Sequence, residues 1–137
     1  MQARVSIHAS VLDAMLEHAR SSVPKECCGL LAGSGGAVTH AFPVANALAS
    51  EREFFADPAE LIATLRALRG RGLKHQGIYH SHPTSENFPS RRDVEMAFYP
   101  DCAHFIIAPS APLERQARAF RIEENLVTEL EIEVAKV

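Results

Sequence analysis

Apolar residues recur along this chain at two spacings, and the changes between them mark out its elements. Val5 and Ile7 alternate with polar neighbours, which predicts a short first strand. Val11, Leu12, Met15, Leu16 and Ala19 then fall at helical spacing. Residues 10–21 therefore read as an amphipathic helix, with Ser10 as its N-cap and Pro24 closing the segment. Glu26 to Gly33 reads as a turn running into a buried strand. Gly33-Ser34-Gly35-Gly36 is a hairpin-type connection, and Ala37 to Val44 is the expected returning strand. Asn46 to Phe55 reads mostly as loop. Asp57-Pro58-Ala59-Glu60 starts a helix: aspartate as N-cap, proline at the first position, glutamate at the third. Leu61, Ile62, Leu65 and Leu68 are its expected buried stripe, and Gly70 and Gly72 end it. Lys74 to His82 is the expected central strand, Ser90 to Phe98 a short helix and Cys102 to Ala108 an apolar strand. Gln116–Ile122 and Leu126–Val134 alternate well enough to predict a hairpin around Glu123-Glu124-Asn125.

This succession predicts one domain over residues 1–137, of the α/β class: a mixed β-sheet flanked by helices, with no repeats and no linker. A chain of 137 residues that is 47% hydrophobic can bury one real core. No apolar run approaches the ~20 residues of a membrane-spanning helix, so no membrane partner is expected. Met1-Gln2-Ala3-Arg4-Val5 lacks the long apolar stretch of a signal peptide. Three cysteines, with Cys27 and Cys28 adjacent, do not make a disulfide framework, which points to a reducing, cytoplasmic setting. A net charge of −3 gives no general attraction to nucleic acid. Arg66, Arg69, Arg71 and Lys74 read as the solvated end of a helix.

The candidate chemistry lies at the end of the central strand. Alternate residues of a strand share a face, so His80 and His82 point the same way and can hold one metal ion. Pro83 then stops the ladder, and a loop brings Ser90 and Asp93 back. Ser90-x-x-Asp93 also reads as a helix N-cap with its first-turn acid. The two readings are compatible, since a helix start fixes the aspartate while one oxygen still faces an ion. Two histidines and an aspartate leave a tetrahedral ion one open position, which is the arrangement of a catalytic zinc. Cys27 and Cys28 face opposite ways if they lie on a strand, so they do not make a thiolate pair. His8, His18, His40, His75 and His104 read as ordinary.

Three other zinc-hydrolase patterns fail here. Pro83-Thr84-Ser85-Glu86 stands where a metallo-β-lactamase has an Asp-His pair. The chain is too short for the ~250-residue barrel of an amidohydrolase. It also lacks the His-x-Glu and Cys-x-x-Cys of a zinc deaminase. By contrast, the run His80-Ser81-His82-Pro83 with Pro89-Ser90-x-x-Asp93 resembles the JAMM (MPN+) metallopeptidase signature at every defining position. Pro24-x-Glu26-x-Cys28-Gly29-Leu30-Leu31 resembles the family's first motif, and Asn46 and Asp57-Pro58 fit as well. The resemblance covers roughly residues 5–110 and is to the minimal, stand-alone prokaryotic form.

The resemblance implies a JAB/MPN (cytidine-deaminase-like) architecture and one zinc held by His80, His82 and Asp93. It implies Glu26 as the base that takes a proton from water and returns it to the leaving amine. It implies Ser90 as a donor to the oxyanion of the tetrahedral intermediate. The implied substrate is a peptide or isopeptide bond after the C-terminal Gly-Gly of a ubiquitin-like or sulfur-carrier protein. Other readings stand beside it: a deubiquitinase acting on ubiquitin conjugates, a DNA-repair-associated relative and a non-catalytic interaction module of the same fold.

Overall fold

Two helices give the faces of the sheet different tasks. In the computed structural model, which describes residues 3–136, the strands are β1 (Arg4–His8), β2 (Cys28–Gly33), β3 (Ala37–Val38), β4 (His40–Val44), β5 (Lys74–Ser81), β6 (Ala103–Ile107), β7 (Ala117–Glu123) and β8 (Leu126–Ala135). The helices are α1 (Ala9–Ser22), α2 (Pro58–Gly70) and α3 (Arg91–Glu95). Met1 and Gln2, part of the N-terminal segment considered above, lie outside the described residues, as does Val137. The strands form one eight-stranded sheet in the order β3-β1-β8-β7-β6-β5-β2-β4.

Helix α1 covers one face. Val11, Met15 and Ala19 pack there against Ile7, Leu31, Tyr79, Phe105, Ala119 and Leu130, all buried. Gly29 is required on this face, because an added Cβ would clash with the phenol end of Tyr79. Helix α2 covers part of the other face through Leu61, Leu65 and Leu68, over Cys28, Leu30 and Ile78. Beside it Val94 and Ala97 rest on Ile106, Phe120 and Ile122. Cys27 and Cys28 fall in opposite clusters, as adjacent strand residues must.

Several expected boundaries move. Ser10 is not the N-cap of α1. The chain passes straight from β1 into the helix, so His8 holds the extended cap position and Ser10 already lies in the first turn. The returning strand is two strands: β3 pairs in parallel with β1, and β4 pairs antiparallel with β2. Only Thr39, bonded through its N–H to the Ala32 carbonyl, separates them. Strands at the two ends of the order are thus covalent neighbours, and the sheet must roll up around α1. Ile62 is 52% exposed, because the narrow stripe of α2 turns it away from the sheet. Helix α3 stops at Glu95, where the chain turns at Met96 and sends Ala97 back to the sheet. The last hairpin closes on Glu124 and Asn125, both at positive φ, the geometry of a two-residue turn matched to strand twist.

Candidate functional site

Strand β5 is flanked by β2 and β6, so its carboxyl end is fixed from both sides. His80 stands opposite Cys28 on β2 and Ile106 on β6. His82, one residue past the strand, still donates its backbone N–H to the Ile107 carbonyl at 2.8 Å. Both imidazoles are buried on the face of α2 and α3. Their Nε2 atoms are 3.1 Å apart.

Asp93 reaches them from α3. Ser90 and Asp93 form a full capping box: the Ser90 hydroxyl oxygen accepts from Asp93 N–H, and Asp93 Oδ2 accepts from Ser90 N–H. The helix cap and the metal-ligand reading therefore share one carboxylate. Its Oδ2 lies 3.2 Å from His80 Nε2 and 3.1 Å from His82 Nε2. Ligands ~2.0–2.1 Å from a tetrahedral ion stand ~3.3 Å from one another, close to the edges of this triangle.

The hydrogen bonds favour a cation at its centre. His82 Nδ1 meets the Glu86 carbonyl at 2.8 Å, and a carbonyl only accepts. In neutral His82 the Nε2 is therefore a bare lone pair aimed at a carboxylate oxygen. Two lone pairs at that distance repel unless a positive charge, a proton on the imidazole or a metal ion, lies between them. The three donors fit a zinc ion, with one position left for water or substrate.

Glu26 is the second carboxylate at this place. It precedes β2, and its neighbour Cys27 is pinned to Ser81 by two hydrogen bonds, Ser81 N–H to the Cys27 carbonyl and Cys27 N–H to Ser81 Oγ. A Glu26 carboxylate oxygen lies within 4.8 Å of both imidazole nitrogens, a looser approach than that of Asp93. Its Oε1 is buried without a partner. Glu26, His80 and His82 could thus also group around an ion, but the triangle with Asp93 is the tighter of the two.

The two carboxyls titrate apart. Burial raises the pKa of Glu26 to about 8, against the opposing pull of His82. Burial would also raise Asp93, but its hydrogen bonds to His80 and His82 outweigh that and hold it well below the usual carboxylate range. Burial lowers His80, while Asp93 and the Glu86 carbonyl overcome burial at His82 and raise it. Cys28 is pushed up to about 12 by burial, so it offers no thiolate near neutral pH.

All five residues singled out in the sequence meet at one place, with Ser90 exposed at the rim. In the sequence Phe54 and His104 have no place at this site, and Asn46 is marked only as fitting the family pattern. The Phe54 ring stacks on His80, centroids 4.4 Å apart, from a segment that read as loop. Asn46 ties that segment together, donating to the Glu26 and Glu53 carbonyls and accepting from Leu48 and Phe55 N–H. His104, set aside as ordinary, is buried on the same sheet face. Only Asn46 carried a signal, as a turn-forming residue between two elements.

Comparison with known proteins gives this geometry a family. Residues 8–123 match the family described as prokaryotic homologues of the JAB domain. The chain belongs to that family. A CysO-cysteine peptidase from Mycobacterium tuberculosis is 34% identical over 132 residues, covering 95% of this chain and 90% of the relative. A desampylase from Haloferax volcanii is 40% identical over 113 residues, covering 77% and 81%. A solution structure from Desulfitobacterium hafniense superimposes with a TM-score of 0.87 at 31% identity, covering 97% of this chain and 94% of the other. Like its JAB relatives, the chain is a hydrolase. Among the described residues no helix is long and apolar enough to cross a membrane.

Proposed function

We propose that this JAB-family chain is a zinc-dependent peptidase that hydrolyses the bond after the C-terminal Gly-Gly of a ubiquitin-like or sulfur-carrier protein. The observation that carries the reading is the triangle of His80 Nε2, His82 Nε2 and Asp93 Oδ2, with edges of 3.1–3.2 Å, beside a buried and unpartnered Glu26 oxygen. His80, His82 and Asp93 hold the metal. Zinc, when bound, supplies the Lewis acidity that polarises the scissile carbonyl and makes water a nucleophile near neutral pH. Glu26 Oε1 takes the proton from the attacking water. Buried and unpartnered beside the ligands, Glu26 is also placed to give the proton back, here to the nitrogen of the leaving amine. The Ser90 hydroxyl accepts from Asp93 N–H, which leaves its own hydrogen to donate to the carbonyl oxygen as that gains charge. The Phe54 ring keeps water off one face of His80.

The substrate class rests on the relatives and on chemistry. One relative is named for CysO-cysteine and one for removing a conjugated modifier. A Gly-Gly tail suits a buried site because no side chain obstructs its approach. Three buried free thiols fit a reducing cytoplasm.

The test compares an intact carrier fusion with a free peptide bearing the same Gly-Gly junction. The fusion is expected to be cut far faster, with chelation abolishing cleavage and zinc restoring it. Equal cleavage of both would make this a general peptidase and overturn the carrier reading.

A further inference from the structure

Two arginines follow Ser90 at the start of α3, and they meet different surroundings. The Arg91 side chain is 93% exposed, and its Nε pairs with Glu95 Oε1 at 3.0 Å. Arg92 is half-buried. With His80 and Asp93 it lines a cavity of about 250 Å³ that also reaches Leu61 of α2.

Among the described residues the Arg92 side chain has no ion pair and no hydrogen bond. Its Nε is sealed from solvent; the two terminal nitrogens of the guanidinium are not, and they carry the free donors. A guanidinium that has given up part of its hydration is ordinarily held by carboxylates or carbonyls. An unpaired fork of donors next to the metal ligands calls for an anion from outside the chain. A planar carboxylate is the match for two parallel N–H groups.

A substrate with a Gly-Gly junction brings few anions so close to the metal. On the acyl side, two extended glycines span ~7 Å without a charged group. On the leaving side, a single amino acid with a free C-terminus holds its carboxylate carbon two bonds, ~2.5 Å, from the amine nitrogen. That nitrogen stays beside Glu26, which returns its proton on the reading above. Arg92 lies close enough to Glu26 that its positive charge favours the ionised carboxylate there. A second carboxylate arriving at that place meets the like charges of Glu26 and Glu53, and Arg92 offsets their repulsion.

We propose that the Arg92 guanidinium binds the free α-carboxylate of the residue released at the cut, so that the preferred substrate is a carrier extended past its Gly-Gly by a single amino acid. The inference rests on the proposed carrier-cleaving function and adds to it the size and charge of the leaving group. A longer tail, or a branched junction to a lysine side chain, places no carboxylate at that point. Arg92 becomes a specificity-determining residue of α3 and takes no part in proton transfer.

The probe is a set of ubiquitin-like carriers that end in Gly-Gly followed by one alanine, serine or cysteine. Each is made with a free C-terminal carboxylate and with a C-terminal amide. The free acid should be cut roughly 10–100-fold better than the amide in kcat/KM, mainly through KM, because the amide forfeits charge-assisted hydrogen bonds. In Arg92→Leu that preference should vanish while the amide is still cut, and Arg92→Lys should keep part of it. Equal rates for acid and amide in the unaltered protein would overturn the assignment while leaving the carrier reading intact. That arm needs no variant, so a misfolded Arg92→Leu does not leave the matter open. A preference that survives in folded Arg92→Leu, or an equal loss on acid and amide, would also overturn it. If no carrier is cut at all, the carrier reading falls and the assignment of Arg92 falls with it.

Discussion

Asp93 and Glu26 are two carboxylates of one site, and their surroundings drive them in opposite directions. Asp93 sits at a helix start, where one oxygen accepts from Ser90 N–H and faces two imidazole nitrogens. Donors and positive charge hold it ionised. Glu26 sits at a strand start with its Oε1 buried and unpartnered, and burial holds it near neutral protonation, at about 8. A carboxylate that is always charged can anchor a cation. A carboxyl poised near the working pH can carry a proton. Environments that push two acids apart in this way assign them different tasks.

The largest effect should come from removing a ligand on the Asp93 side. His80→Ala leaves two donors of the triangle, so zinc content should fall from about one per chain to near zero and activity should fall below detection. The fold should largely survive, because its core lies on the α1 face and under α2. Metal analysis and a thermal melt check both parts. Undiminished zinc in the variant would remove His80 from the ligand set.

A smaller loss is expected at the rim. Ser90→Ala should keep zinc and lower kcat by ~10²–10³ with KM little changed, the usual cost of one oxyanion donor. It should also cost ~1 kcal/mol of stability, since Ser90 caps α3. A fall in zinc content instead would mean that Ser90 acts only by holding Asp93 in place.

The smallest effect is on the metal-free protein and reads the Glu26 side alone. A folded-state pKa raised from 4.5 to about 8 means that the fold favours the protonated acid. That contribution is fully present below the unfolded value and is lost as pH rises through about 8. Asp93 is shifted the other way and would lose its contribution only in acid, so it is silent in this window. Metal-free Glu26→Gln should therefore match the unaltered protein near about pH 5 and exceed it by roughly 1–3 kcal/mol above about pH 8. A difference independent of pH would show that Glu26 is not held protonated by burial.

Much of this site was legible from local pattern. His80 and His82 share a face because strand periodicity is two, and Ser90-x-x-Asp93 announced the cap that aims the aspartate. What could not be read depends on partners distant in sequence. The split of the returning strand at Thr39 reflects a choice between β1 and β2 that residues 37–44 do not encode. Phe54 looked like loop because its period is broken, yet Asn46 folds that loop back over His80. Ile62 has the right spacing for a buried stripe, but α2 meets the sheet along a narrower one. His104 looked ordinary because the elements that bury it, α2 and the segment after α3, lie far from it in sequence.

The division of labour between the two carboxylates is tested most directly by the zinc content and hydrolysis of Glu26→Gln, measured on the same preparation. The amide keeps the size of the side chain and cannot accept a proton. The variant should retain about one zinc per chain and bind carrier as before, while hydrolysis falls by ~10²–10⁴, the range typical of a lost general base. Loss of zinc in Glu26→Gln would make Glu26 a ligand, and full activity with zinc retained would remove it from the proton path; either contradicts the roles assigned here.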